Sequence, residues 1–216
     1  MSFFDPTKSI IENLYFLSGV ILALSIVFGI IQIILTKKTL RVNSKRAAAN
    51  LAASQIEIYC DKIINMQNRL FAKQAEMKIP DLDIEVGEFR NNYLKNKLGD
   101  NKYLEIVNKR FQFTLDALDI LNAMEAFAIY FTKGVADEEI AYSSIGRTYC
   151  FVVKKLYFDI AYSLEDDNDK SFNNLIELYT IWSNRLKSEK LSKEKEKLLS
   201  ELDCLKMKNI KPIGTE

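Results

Sequence analysis

Leu14 to Leu35, LYFLSGVILALSIVFGIIQIIL, contains no charged residue and is almost wholly aliphatic or aromatic. Wound as an α-helix, this stretch covers about 30 Å, the thickness of a bilayer's hydrocarbon core. The core helix of a soluble protein would carry a polar face instead. A cleavable signal peptide needs a basic start, an apolar run of about 7–15 residues and a small-residue cleavage site. Here the run is longer, and Asp5 and Glu12 outnumber Lys8 ahead of it. The sequence therefore predicts a retained transmembrane helix over residues 14–35, preceded by a short outer segment, 1–13.

The flanks give the helix a direction. Phe3, Phe4 and Tyr15 stand where an aromatic belt meets the headgroups, and Lys37, Lys38, Arg41, Lys45 and Arg46 follow the span with no acidic residue among them. Basic residues next to a span mark its cytoplasmic side, so the N-terminus is expected outside and the bulk of the chain in the cytoplasm. The same five residues suit anionic lipid, each worth about 1 kcal/mol near the surface. RNA or nucleotide binding is the less favoured use, and the net charge of +1 gives no bulk attraction to nucleic acid. Within the span, Ser18, Ser25 and Gln32 recur every seven residues and Gly29 falls four after Ser25. A stripe of small and polar groups favours helix–helix contact, hence a homo-oligomer, over a monomer facing lipid on all sides.

Seven glycines and three prolines in 216 residues leave few chain breaks, so the fold class expected is all-α. Between Gly29 and Pro80 there is neither residue, and the span can run on as a basic, helical stalk over 36–78. Along it Ala52, Ile56, Tyr59, Ile63, Met66 and Leu70 alternate spacings of four and three, a seam that packs either on the chain's own bundle or on copies of itself. Residues 79–216 are expected to form a cytoplasmic helical bundle. In it a loop at 79–88 leads to a short helix ending near Leu98, and a helix over Lys102–Thr132 follows with Leu104, Val107, Phe111, Leu115, Leu118 and Leu121 on its buried stripe. Gly134 ends that helix, and Asp137 starts the next, which runs to about Leu164. Ser171 is the expected N-cap of a helix over residues 172–189, and a separate, charge-alternating helix over 193–206 precedes a frayed tail.

The absence of histidine closes most familiar hydrolase chemistry, since no Ser-His-Asp, Cys-His or His-bearing zinc arrangement can be assembled. Cys60, Cys150 and Cys204 form no CxxC pair, and no phosphate-cradling glycine motif is present. Neither a cofactor nor a metal is expected. Asp116, Asp119 and Asp159 lack the spacing of a metal-binding set and read as exposed or capping acids. Glu125 and Arg147 each interrupt an apolar helical run, and charges are buried only when paired, so the two are expected to meet as a buried ion pair. The aromatic residues of 149–182 read as core filling.

One third of the chain carries a likeness. Leu121, Asn122, Glu125, the Lys133-Gly134-Val135 turn with its acidic follow-on, Gly146-Arg147 and Leu178 to Trp182 give residues 121–186 a rhythm of helices. That rhythm resembles a bacterial domain-of-unknown-function family of small helical proteins, often with one N-terminal membrane helix, found in anti-phage defence loci. The architecture is also similar to the membrane accessory protein of RNA-targeting, type VI-B CRISPR systems, an oligomeric pore discussed as a divergent relative of helical nucleases. The resemblance implies a single-pass protein of the bacterial inner membrane, oligomeric and pore-forming or membrane-perturbing, in antiviral defence. The alternative is a tether that recruits a cytoplasmic defence effector. A nuclease or nucleotide-sensing effector is the weaker reading, because a nuclease pattern includes histidine.

Overall fold

A computed structural model describes residues 6–77, 85–164 and 170–205, with side chains from Ile10 to Leu202. Among these residues every regular element is helical and none is a strand, as composition predicts. The chain divides into two units, residues 1–48 and 49–216.

Helix α1 covers Pro6–Ile58. In the first unit it holds the apolar stretch, and the described side chains there are exposed except for Gly29 and Ala48, which are half-buried. The first five residues, with Phe3 and Phe4, lie outside the described residues.

The second unit begins with the last turns of α1, then a π-turn at Tyr59–Ile63, and α2, Ile64–Glu76. The unbroken helical run that the lack of Gly and Pro predicts is therefore present, with one π-turn in it. That turn places both Tyr59 and Ile63 in the core. α3, Asn91–Leu98, ends at Gly99, whose φ of 77° is a conformation that a side chain disfavours.

The single helix expected over Lys102–Thr132 is two helices. α4, Asp100–Arg110, and α5, Thr114–Thr132, are joined by a 3₁₀ turn at Phe111–Phe113. The turn winds three residues per revolution and so changes the helix phase. It also corrects the buried stripe. Leu104, Phe111 and Leu115 are exposed, Val107 and Leu118 are half-buried, and of that set Leu121 alone is fully buried. The core faces are Tyr103, Ile106 and Arg110 in α4 and Ala117, Ile120, Leu121 and Met124 in α5.

Asp137 caps α6, Glu138–Lys155, accepting a hydrogen bond from the Ile140 amide at 3.3 Å, as its position predicts. Leu156 interrupts the helix expected to reach Leu164, and α7 covers Tyr157–Ser163. α8, Asn173–Leu205, joins the two last helices of the sequence reading into one and starts two residues after Ser171. Phe172, at φ 61°, turns the chain into it.

The larger core cluster gathers Tyr59, Ile63, Phe127, Tyr149, Leu178 and Trp182, and the smaller gathers Leu94, Tyr103, Ile106 and Phe158. Trp182 packs edge-on against Tyr149 at 5.0 Å, and Tyr59 tilts over Phe127 at 5.0 Å. The aromatic residues of 149–182 fill the core as expected, Phe151 excepted, which is exposed.

Burial pushes the Tyr142 and Tyr179 hydroxyls up to about 12 and holds those of Tyr59 and Tyr149 well above the ordinary phenol value. A phenol pKa raised in the fold above its ordinary value near 10 means that unfolded chain loses these protons first as pH rises. Stability is therefore fully present below about pH 10 and falls from pH 10 upward. Unfolding midpoints across pH 8–12 are expected to be flat and then to drop steeply; a flat profile through pH 12 would contradict the packing of these rings.

Candidate functional site

The candidate site of the first unit is the apolar face of α1 itself. Ile10 to Glu76 contains one helical stretch long and apolar enough to cross a membrane, and none of its most apolar window is buried. Tyr15 and Phe16 are 82% and 77% exposed. Exposed apolar area on this scale has no place in water, where patches of a few hundred Å² are the ordinary limit.

Its polar stripe is partly self-contained. The Ser18 hydroxyl donates to the Tyr15 carbonyl and that of Ser25 to the Ile21 carbonyl, both at 2.8 Å. Hydroxyls satisfied along their own helix can sit in hydrocarbon without a partner. Gly29, four residues after Ser25, is different: a methyl group added there meets nothing within 4 Å. The pair of small residues leaves a shallow place on the helix where another backbone can approach. Gln32 is exposed, and its amide is the remaining polar group of the stripe. Lys37, Lys38, Arg41, Lys45 and Arg46 are exposed as well.

The stalk seam is consumed within the second unit. Ala52, Tyr59, Ile63 and Leu70 are core residues, and Ile56 and Met66 pack against them. Of the two uses the sequence leaves open, the chain's own bundle is the one observed. Buried amides accompany the seam: Gln67 Nε2 donates to Tyr59 Oη at 3.3 Å and lies 3.8 Å from Met124 Sδ.

The expected pair of Glu125 with Arg147 is not formed. Arg147 is exposed on α6, whereas both Glu125 oxygens accept from the start of α8. Oε1 takes Asn174 N at 3.2 Å and Asn174 Nδ2 at 2.7 Å, and Oε2 takes Leu175 N at 2.7 Å. A helix N-terminus offers free amides and a positive dipole end, so the carboxylate is satisfied without an arginine. Glu125 ties α5 to α8.

The buried ion pair lies elsewhere. Arg110 and Asp159 are 6% and 8% exposed. Arg110 Nε donates to Asp159 Oδ1 at 3.0 Å, and its Nη2 to Oδ2. Asp159 is thus neither exposed nor a cap, contrary to the sequence reading. The pair holds α4 against α7, and the guanidinium sits over the Phe158 ring, 5.7 Å from its centre. Asp116 is a surface partner of Lys73 at 2.6 Å.

A groove of about 390 Å³ in the second unit runs between α6 and α8 and is lined by Tyr142, Gly146, Arg147, Arg185 and Glu189, among others. Arg185 stacks 3.9 Å over the Tyr142 ring and bonds both Glu139 oxygens at 2.6 Å, while Tyr142 Oη donates to Glu189 at 2.6 Å. These groups satisfy one another. Burial pushes the Cys150 thiol up to about 12, which removes its thiolate at neutral pH. Among the described residues no group of three His, Cys, Asp or Glu side chains is placed to hold a metal. What the chain presents outward is apolar surface: the α1 face, and Leu104, Phe111 and Leu115 on α4, the 3₁₀ turn and α5. The sequence puts these last three residues on a buried stripe; they are exposed, and Arg110 takes the inward place beside them.

No protein-family model, curated protein or solved structure matches this chain.

Proposed function

We propose that the chain is a single-pass inner-membrane protein, N-terminus outside, whose helical bundle lies in the cytoplasm and which works, without catalysis, as an oligomer that perturbs the membrane. The observation that carries this reading is the apolar window of α1, no residue of which is buried. Its basic flank supports the orientation, and the Ser25–Gly29 notch supports contact between spans. Alkaline extraction of membranes is expected to leave the full-length chain in the pellet and to release a chain lacking residues 1–35. Release of the full-length chain overturns the reading.

A second reading, a tether that holds a cytoplasmic effector at the membrane, is favoured by the apolar face of Leu104, Phe111 and Leu115, which is 56–77% exposed. Replacing Ser18, Ser25 and Gln32 together with leucine separates the two. Membrane perturbation is expected to fall at least about tenfold if the spans associate through this stripe, as about 1–2 kcal/mol of interhelical contact disappears. Unchanged function with that triple variant, and loss with Phe111→Asp, favours the tether.

A further inference from the structure

α8 changes character along its length. Its first half is core: Leu175, Leu178 and Trp182 are fully buried, and Leu186 is half-buried. From Lys190 to Leu202 every side chain is exposed. A helix of this length standing alone in water is marginal. Leu191, Leu198 and Leu202, at 55%, 60% and 58% exposure, nevertheless fall on one stripe, seven and four residues apart, and Leu205 keeps the seven-residue spacing from Leu198. Such a stripe is the half of a helix pair.

The charges beside it say which partner fits. Lys190, Glu194, Lys197 and Glu201 run at spacings of four, three and four along one edge of the stripe. Within the chain they form Lys190–Glu194 and Lys197–Glu201 pairs at 3.8 and 3.9 Å, beyond hydrogen-bond distance, with both lysines 78% exposed. Pairs of that kind hold little energy and leave the charges open to another chain. Laid against a second copy of itself in the opposite direction, the edge brings Lys190 to Glu201 of the second copy and Glu194 to Lys197 of the second copy. The whole segment obeys the same rule. Residues 187–195 carry four lysines and two glutamates, and residues 196–205 carry one lysine and three acids. Antiparallel pairing lays the positive half on the negative half, while parallel pairing lays like on like.

We infer that the distal half of α8, Lys187–Leu205, is a homotypic docking element that pairs antiparallel with the same segment of a second copy of this chain. The inference rests on the oligomeric reading above and names one of its interfaces. It adds a contact outside the membrane, so the span stripe and α8 make separate contributions to assembly.

Charge exchange tests it on the full-length chain in detergent, read by analytical ultracentrifugation. Glu194→Lys with Glu201→Lys makes the edge all lysine, and Lys190→Glu with Lys197→Glu makes it all glutamate. Each double variant alone is expected to raise the dissociation constant at least about tenfold, and an equimolar mixture of the two is expected to restore assembly. Leu191→Gln with Leu198→Gln is expected to abolish pairing by both routes while Trp182 fluorescence reports an intact bundle. Wild-type affinity in either charge variant alone, or failure of the mixture to recover it, overturns α8 pairing. If only the Ser18, Ser25 and Gln32 leucine variant loses assembly, α8 pairing is overturned and the membrane-oligomer reading stands. A monomeric wild-type chain overturns both.

Discussion

Arg110→Ala is expected to destabilise the bundle by about 3–5 kcal/mol. The Arg110–Asp159 pair is 6% and 8% exposed, and removing the guanidinium leaves the buried Asp159 carboxylate without the partner that both its oxygens share. Asp159→Ala is expected to cost a similar amount for the mirror-image reason. Replacing both together, Arg110→Met with Asp159→Leu, is expected to recover most of the loss, because an apolar pair of similar volume has no charge to strand. Trp182, the sole tryptophan and fully buried, reports urea unfolding of the full-length chain in detergent. Single variants within about 1 kcal/mol of wild type would mean that water reaches the pair.

Glu125→Ala is expected to cost about 2–3 kcal/mol, since it removes three hydrogen bonds to a carboxylate at the N-terminus of α8. Glu125→Gln keeps one accepting oxygen and loses the charge, so about half of that loss is expected. Arg147→Ala, at an exposed position, is expected to stay within about 0.5 kcal/mol of wild type. The contrast between Glu125 and Arg147 in one urea series separates helix capping from the ion pair that their sequence positions suggest. Equal losses at both would restore the pair.

The parts of this fold that were legible in the sequence are those set by composition and by local punctuation. Few glycines and prolines pointed to an all-α fold, which the described residues have, Gly99 and Gly134 follow helix ends at positive φ, and Asp137 caps α6. The apolar run in α1 was equally plain. What was not legible came from long-range choices. Periodicity favours Leu104, Phe111 and Leu115 as a core stripe, yet Arg110 turns inward to Asp159, forty-nine residues away, and the 3₁₀ turn at Phe111–Phe113 rotates the rest. Glu125 looked for an arginine and met backbone amides, a partner that no side-chain pattern advertises. The π-turn at Tyr59–Ile63 likewise leaves no mark in residue types. At the candidate site, the apolar run of α1 and its basic flank were readable because an uncharged run and the charges after it are matters of composition alone. The distal half of α8 was read as a solvated helix because its charges outnumber its leucines; the structure adds that Leu191, Leu198 and Leu202 are 55–60% exposed along one stripe.

The central claim, that this chain is anchored by α1 and assembles, is tested most directly by the mass of the detergent-extracted full-length chain, measured by light scattering beside a chain lacking residues 1–35. The account predicts a discrete oligomer for the full-length chain and a smaller assembly, held by α8 alone, once the apolar helix is removed. A full-length chain that runs as a monomer would contradict it.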